Sequence, residues 1–448
     1  MGNLVELLSS FASPSLNSVL IVASVGLLAW YYLEDKVAYW SRRGVPNVPA
    51  SKCIAQTLTF LAGRKTMIEI FQEQYKLLEG QKYGGTFQGL YPSILVRDPA
   101  MIKEWLVKSF SSFHDRTPEP DENVDKLAGN LFQLTGDRWR TVRHKMSPAF
   151  SSAKLKIMYE TLKDCAEECN AHLEARCASQ GETEIDIKDF VSNYTMDVIG
   201  ACAMGIKCNA VRDPENCEMK RVVREMFSIG WRSSLFQLLE MIHPKLPELL
   251  RIVPRQPAVE QFLMTVTKNA MEMKTKAGQS TRKDFLQILM NISSSERDVT
   301  RDSNEDLSVL EGGVVHEGPI FTENIIAGVI TSFLFAGLEP VSASTTFCLY
   351  ELVRHPEMQE RLFEEIQSAR KESGGEIKYE DLKKLRYLDQ VVNAQRLARM
   401  DVKTMVITLV SGYTLHTCSK TVDHIEMDPK AFTLNPKGSV WLQLKKRI

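Results

Sequence analysis

A long and almost uncharged stretch at residues 326–356 limits what this chain can fold into more than any other feature. The stretch is apolar all round, and such a helix belongs at the centre of a large protein rather than on its surface. Glu339 interrupts it, and a carboxylate is costly to bury without a partner. The small residues Ala336 and Gly337 just before it would let a large flat group approach the backbone. We therefore expect a core helix that contacts a ligand or water near Glu339.

The size and charge of the chain set broad limits. Its 448 residues exceed what one small core needs, so two domains or one large helical body are expected. The net charge is -1, from 55 basic and 56 acidic residues, and the absence of a block rich in Lys and Arg indicates no nucleic-acid partner. Nine cysteines, an odd number, are spread over the chain and favour reduced thiols on the cytosolic side of a membrane.

The N-terminal region has the composition of a membrane helix. Residues 7–33 carry no charge, and residues 16–33 are apolar and aromatic enough to cross a bilayer. A cleaved signal peptide would have a basic start and a small-residue cleavage site, whereas Glu6 precedes this run and bulky aromatic residues end it. Lys36, Arg42 and Arg43 follow the span, which places the rest of the chain in the cytosol. We predict a membrane anchor at residues 1–40; a buried core helix is the alternative.

The remaining chain divides into a connector and a body. Gly44, Pro46 and Pro49 predict a stiff, extended hinge at residues 41–50. Residues 51–448 form the body, in which helical spacing dominates and the predicted class is mostly α with small β-sheets. Helices are predicted at residues 67–78, 154–177, 187–202, 218–239, 259–275, 285–293 and 323–354. Short β-like runs lie at residues 85–88 and 93–96, the tail at 432–444 predicts a hairpin, and residues 294–317 predict a polar loop.

Trp139 and Arg143 are four residues apart, so a helix would place them on one face. An indole N–H beside a guanidinium suits a pair of carboxylates. The same spacing also occurs by chance and serves packing in many helices. Here Gly136 and Asp137 precede the pair, and a Ser-Pro-Ala-Phe segment that ends at Phe150 follows it.

These motifs resemble the cytochrome P-450 family of haem-thiolate monooxygenases, and within it the microsomal, arthropod-type detoxification branch. The run that ends in His355, Pro356 and Glu357 is also typical of that family. The resemblance implies the cytochrome P-450 fold, a haem cofactor, a lipophilic small-molecule substrate, an NADPH-dependent reductase as electron donor, and residence in the endoplasmic reticulum membrane. By the same resemblance, Trp139 and Arg143 would meet the haem propionates.

In the family, the long helix lines the haem with the pattern Ala-Gly-x-Glu/Asp-Thr. Ala336 matches as a residue against the cofactor, and Gly337 and Glu339 match as catalytic residues of the oxygen groove. Pro340 stands at the threonine position, where it supplies neither a hydroxyl nor an N–H and is expected to kink the helix. Ser342 is the nearest hydroxyl that could replace it.

The resemblance breaks after Asn393. The residues up to Asn393 are similar to the start of the helix that continues, in the family, into a buried Glu-x-x-Arg ion pair. The segment from Ala394 instead resembles the helix just beyond the axial cysteine. Glu351 and Arg354 spell Glu-x-x-Arg but belong to the earlier segment. A block that carries the ion pair and the cysteine loop is therefore missing between Asn393 and Ala394.

The haem-binding pattern Phe-x-x-Gly-x-x-x-Cys-x-Gly does not occur in this sequence. Around Cys418 its Phe and Gly positions hold Ser411 and Thr414, and around Cys348 its Gly position holds Ser344. An axial thiolate needs a tight loop whose N–H groups hydrogen-bond the sulfur. We assign no metal ligand, and the expected result is a chain that binds no haem as a thiolate complex.

Three weaker features keep two interpretations each. Cys165 and Cys169 are spaced to share one face of a helix. They would be either metal ligands or ordinary thiols of the core. Residues 227–236 would be core, or the F–G region that meets the membrane and admits substrate. Residues 110–120 would cap the substrate pocket or form a plain loop.

Three functions stay open at this point. The first is a membrane-bound monooxygenase that inserts oxygen into a lipophilic substrate. The second is a non-catalytic, membrane-anchored helical protein that arises from a skipped exon, a damaged gene or a faulty gene model. The third is a decoy that binds the reductase and performs no chemistry. A transcript with the missing block inserted after Asn393 would identify this chain as a variant or an artefact.

Overall fold

The computed structural model is mostly helical with two small sheets, which confirms the predicted fold class. It describes residues 24, 26–27, 31–117, 119–178, 181–227, 230–277, 284–302, 320–392, 396–429, 431 and 434–447, without the side chains of 297–302 and 396–398. Most of the predicted anchor at 1–40 therefore lies outside the described residues.

The helices and strands follow the chain in this order. The first part contains α1 (Tyr39–Arg42), α2 (Ala50–Leu61), α3 (Met67–Leu77), β1 (Tyr83–Gln88), β2 (Tyr91–Val96), α4 (Pro99–Lys103), α5 (Gly136–Met146), α6 (Ser152–Cys177), β3 (Glu182–Asp186) and α7 (Ile187–Ile199). The second part contains α8 (Glu218–Phe227), α9 (Trp231–Ile242), α10 (Leu246–Leu249), α11 (Pro257–Ala277), α12 (Phe285–Asp302), α13 (Glu323–Arg354), α14 (Pro356–Glu372), α15 (Arg386–Val391), α16 (Arg396–Gly412), β4 (Tyr413–His416) and β5 (Trp441–Lys446).

The chain forms two compact units, of which the first comprises the described residues up to Phe113 together with Ser234–Leu250. Strands β1 and β2 pair as an antiparallel hairpin in this unit. Trp40 packs against the hairpin and donates its indole N–H to the Thr86 carbonyl at 2.9 Å. A Cβ on Gly85 would lie 2.3 Å from the Trp40 ring, so a side chain at this position would displace the indole.

The second unit comprises His114–Ser233 and Arg251–Ile448, and α13 runs through its core. Thr322 caps the start of α13 by accepting the Ile325 N–H, and most of the helix is buried against its neighbours, with α7 and α16 among them. Among the described helices, only α13 is long and apolar enough to cross a membrane. Its burial makes it the core helix that the sequence predicts at residues 323–354.

The second unit also contains a three-stranded sheet with the order β3, β5, β4. Leu442 and Leu444 of β5 are buried, and they stand opposite Ile185 of β3 and Leu415 of β4 respectively. The predicted hairpin at 432–444 is therefore wrong for β5, because this strand pairs with two strands that are remote in sequence. Phe432 and Thr433 lie outside the described residues.

Two helix predictions also need correction. Helix α12 continues to Asp302, so residues 294–302 are not the predicted loop. Ser294 and Ser295 donate their hydroxyls to the Asn291 carbonyl, which satisfies these polar side chains within a helix. The single helix predicted at 218–239 is two helices, α8 and α9, with Gly230 between them. Residues 303–319 are outside the described chain.

Candidate functional site

Helix α13 presents one exposed stripe although most of its surface is buried. Ala336, Pro340 and Ser344 are exposed, and their spacing of four residues places them along one side of the helix. The side chains in this stripe are small, so a flat group could lie against the backbone there. Ala336 lies in this stripe, and its contact with the cofactor stays a prediction.

Gly337 is half-buried and faces a neighbouring helix. A Cβ at this position would lie 2.6 Å from the Cδ1 atom of Ile199 in α7. A side chain at this position would therefore require the end of the Ile199 side chain to shift. The role of Gly337 beside the oxygen groove stays a prediction.

Glu339 is half-buried, and its carboxylate accepts a hydrogen bond from the Asn435 side-chain amide at 3.1 Å. The turn that holds Asn435 is bound in turn by Lys188, which donates to the carbonyls of Pro436 and Gly438. Burial lowers the pKa of Lys188, while the negative charges of Asp428, Asp186 and Glu339 act in the opposite direction. The acid that the sequence singles out is thus connected to the C-terminal turn.

Pro340 lies inside α13, and two nearby hydroxyls bond to the helix backbone. Ser342 is buried and donates to the Glu339 carbonyl at 3.1 Å, whereas Ser344 is exposed and donates to the Pro340 carbonyl at 2.7 Å. The sequence suggests Ser342 as a substitute for the family threonine. Ser344 instead shares the exposed stripe, and the four-residue spacing from Pro340 would have identified it.

Trp139 and Arg143 both lie on α5, as their spacing predicts. The Trp139 ring is half-buried, 6.0 Å from the His114 ring, and packs against the apolar cluster that also contains Leu334 and Leu338 of α13. Arg143 is exposed. Helices α5 and α13 therefore share one core, with the indole packed against it and the guanidinium exposed to solvent.

Neither candidate cysteine has the environment of an axial ligand. Cys348 is half-buried on α13, and burial raises the pKa of its thiol to about 12, so it is protonated at neutral pH. Cys418 lies in a loop with its sulfur 3.5 Å from the Thr421 hydroxyl. A cysteine that ligates haem iron must be a thiolate, and backbone N–H groups hydrogen-bond its sulfur. The absence of an axial thiolate therefore stays a prediction from the missing loop motif.

Elsewhere, the structure does not favour the metal interpretation of Cys165 and Cys169. Burial raises the pKa of both thiols, to about 12 for Cys165, which opposes the deprotonation that a metal ligand needs. Within the described ranges, His, Cys, Asp and Glu side chains form no group of three that could hold a metal ion.

The comparison with protein families decides what this arrangement is. The family model described as Cytochrome P450 matches residues 60–393, which is most of the chain. The chain belongs to the cytochrome P450 family. Members of this family are haem-dependent monooxygenases, which are oxidoreductases that act on small molecules with electrons from a redox partner. The family match ends at Asn393, the residue after which the sequence departs from the family pattern.

Individual relatives come from Drosophila melanogaster. Cytochrome P450 6a2 is 31% identical over 379 residues, which cover 84% of this chain and 71% of that protein. Probable cytochrome P450 6a14 is 31% identical over 382 residues, covering 83% of this chain and 72% of the relative. Cytochrome P450 6a8 is 29% identical over 442 residues, which cover 94% of this chain and 84% of that protein. This chain is therefore a P450 of the arthropod type to which these proteins belong.

The residues present fit a haem only in part. The small-residue stripe on α13 suits the face of a flat ring, and Trp139 and Arg143 on α5 suit its carboxylates. The donor set for the iron does not fit, because no cysteine lies in a glycine-bearing loop of the required pattern. Helix α15 ends at Val391 and α16 begins at Arg396, so the polypeptide has no room for that loop between them.

Proposed function

We propose that this polypeptide is a cytochrome P450 that has lost thiolate ligation and does not insert oxygen into substrates. The observation that carries the proposal is the junction near Asn393, where the family match ends and the segment with the axial cysteine is missing. Thiolate ligation supplies the electron density that favours O–O cleavage. Without it, any weakly held haem would be ligated by histidine or water.

The reduced, carbon-monoxide difference spectrum of the purified chain tests this proposal. We expect no Soret band at the long-wavelength position typical of thiolate-ligated haem. The control is the same chain with the corresponding block of cytochrome P450 6a2 inserted after Asn393, which should show that band. The same band in the chain without the inserted block would contradict the proposal. The variants Cys348→Ala and Cys418→Ala would then show which thiol ligates the iron.

The same proposal assigns roles to residues in the restored protein, which is the chain with the missing block inserted after Asn393. Trp139 and Arg143 would bind the propionates, and Ala336 would lie against the ring with Gly337 and Glu339 at the oxygen groove. The substrate would be a lipophilic small molecule, and an NADPH-dependent reductase would supply electrons. The shared core of α5 and α13 and the exposed stripe on α13 support these assignments.

We also infer the arrangement at the membrane. Residues 1–40 would anchor the chain in the endoplasmic reticulum, residues 41–50 would act as the hinge, and residues 51–448 would form a body that faces the cytosol. The uncharged span at 7–33 and the basic residues after it support this arrangement. Release from microsomes by carbonate, or protection of the body from added protease, would contradict it.

A non-catalytic reductase-binding protein is the second candidate. Arg140 and Arg143 are exposed on α5, so the helix presents cationic side chains that could meet an acidic partner. Binding of purified reductase to the chain should weaken with Arg140→Glu at low ionic strength. If the parent chain does not bind reductase, the decoy function is excluded.

A further inference from the structure

A cleft of about 320 Å³ lies in the second unit, away from the residues that the proposed function uses. The cleft is lined by residues of α6, of α16, and of the end of α14 with the loop that follows it. Its walls include the apolar side chains of Ala166, Ile377 and Ile407. The volume is within the range of small-molecule sites, which combine apolar walls with a few polar groups.

Arg370 supplies the unpaired charge in this cleft. Across the part of the chain that the structure describes, its guanidinium donates no hydrogen bond and forms no ion pair. Burial lowers the pKa of Arg370, and the charge of Tyr159 acts in the opposite direction. A half-buried guanidinium without a carboxylate retains a fork of donors that suits an external oxyanion.

Two further polar side chains share this property. The Ser411 hydroxyl is buried and has no hydrogen-bond partner among the described residues. Thr404 and Thr408 line the same cleft, but their hydroxyls donate to helix carbonyls at 2.7 and 2.8 Å. The Asn170 amide makes no hydrogen bond to any described group. A guanidinium, an amide and a hydroxyl with unused donors therefore line one cavity.

The other charges in the cleft limit the charge of a ligand. Lys163 is already paired with Glu160 and Glu376, so its charge is compensated. Glu167 also lines the cleft and is exposed to solvent. One unpaired cation beside acidic neighbours suits an anion with a single charge better than a dianion such as phosphate. The apolar walls suit a hydrocarbon body attached to that charge.

We propose that this cleft binds a small organic monocarboxylate, with Arg370 on the carboxylate, Asn170 and Ser411 as further donors, and Ile377 and Ile407 against the hydrocarbon part. The site requires neither haem nor the missing block, because all its residues are present in this chain. It therefore gives the chain a binding activity that is independent of oxygen chemistry.

Calorimetric titration of the detergent-solubilised full chain tests this site. Hexanoate should bind at least about tenfold more tightly than hexanamide, since a charged hydrogen-bonded pair contributes more than a neutral one. Inorganic phosphate should bind more weakly than hexanoate. Equal binding of hexanoate and hexanamide, or tighter binding of phosphate, would overturn the proposal.

Matched variants locate the binding. Arg370→Gln should weaken hexanoate binding at least about tenfold. Arg361→Gln on the same helix is the control, because Arg361 is exposed and stacks on Tyr387 outside the cleft. Asn170→Asp keeps the size of the side chain, introduces a negative charge and should also reduce binding. An equal loss in Arg370→Gln and Arg361→Gln, or unchanged binding in both Arg370→Gln and Asn170→Asp, would contradict the assignment; circular dichroism checks that each variant is folded.

Discussion

The ammonium nitrogen of Lys403 lies 2.7 Å from the Asp389 carboxylate, and the two residues stand on opposite sides of the junction near Asn393. Lys403 also donates to the Leu382 carbonyl at 2.8 Å, and its side chain is only 4% exposed. A buried ammonium is costly unless it is paired and hydrogen-bonded. An ion pair between Asp389 and Lys403 thus connects α15 to α16, although the segment that lies between these helices in the family is missing.

Lys403→Met should lower the free energy of unfolding by about 1–3 kcal/mol. Removal of one partner of a buried ion pair is destabilising, and the effect is reduced here because Asp389 is partly exposed. Urea unfolding of the detergent-solubilised chain measures the change. Lys383→Met is the control, since Lys383 is exposed near the same junction. Equal loss in both variants would show that the ion pair does not support the junction.

The sequence correctly predicted those helices whose cap, apolar periodicity and end signal all lie within one segment of the chain. Helix α13 begins after Thr322 and ends before Pro356, and its bounds match the sequence prediction because the cap, the apolar pattern and the proline are all local. Trp139 and Arg143 share a helix for the same reason. Periodicity and capping are therefore sufficient for these features.

Long-range contacts were not predictable in this way. Asn435 bonds Glu339 across 96 residues of sequence, and β5 pairs with β3, which lies far upstream. No local pattern specifies such partners, because strand pairing depends on which apolar faces meet in the folded chain. Arg370 was missed because its environment arises from three separate helical segments.

Asp401→Asn should stabilise the chain at pH 8 and have little effect at pH 4. Burial raises the pKa of Asp401 from 3.8 to about 7, although the Tyr194 hydroxyl acts to lower it. Well below pH 3.8 the carboxyl is protonated in both the folded and the unfolded state. Between pH 4 and 7 only the unfolded chain releases the proton, so stability falls as the pH rises, and above pH 7 the full cost remains. That cost is about 2–4 kcal/mol.

Urea unfolding at both pH values measures this dependence. Asp423→Asn is the matched control, because it removes the same charge from an exposed position. A gain for Asp401→Asn that is the same at pH 4 and pH 8 would contradict the titration of this carboxyl.

In the chain with the block restored, Trp139→Ala combined with Arg143→Ala should weaken haem retention by about tenfold. Both residues lie on α5 four positions apart, and the proposed function assigns them to the propionate charges. Haem transfer to apomyoglobin, followed by absorbance, measures retention. Arg140→Ala serves as the control, since Arg140 is exposed and pairs with Asp137. Retention equal to that of Arg140→Ala would exclude the propionate role.

Pro340→Thr in the restored enzyme should reduce the peroxide released per NADPH oxidised by about twofold or more, because it returns a hydroxyl to the exposed stripe on α13. Ser344 carries the other hydroxyl on that stripe, and it donates its hydrogen bond to the Pro340 carbonyl at 2.7 Å. Pro340→Val separates the hydroxyl from the effect of removing proline, since valine has nearly the shape of threonine and also restores a backbone N–H. Peroxide and NADPH assays on all three proteins give the result. If the Thr and Val variants release equal peroxide, helix geometry rather than the hydroxyl controls coupling, and the role assigned to this position fails.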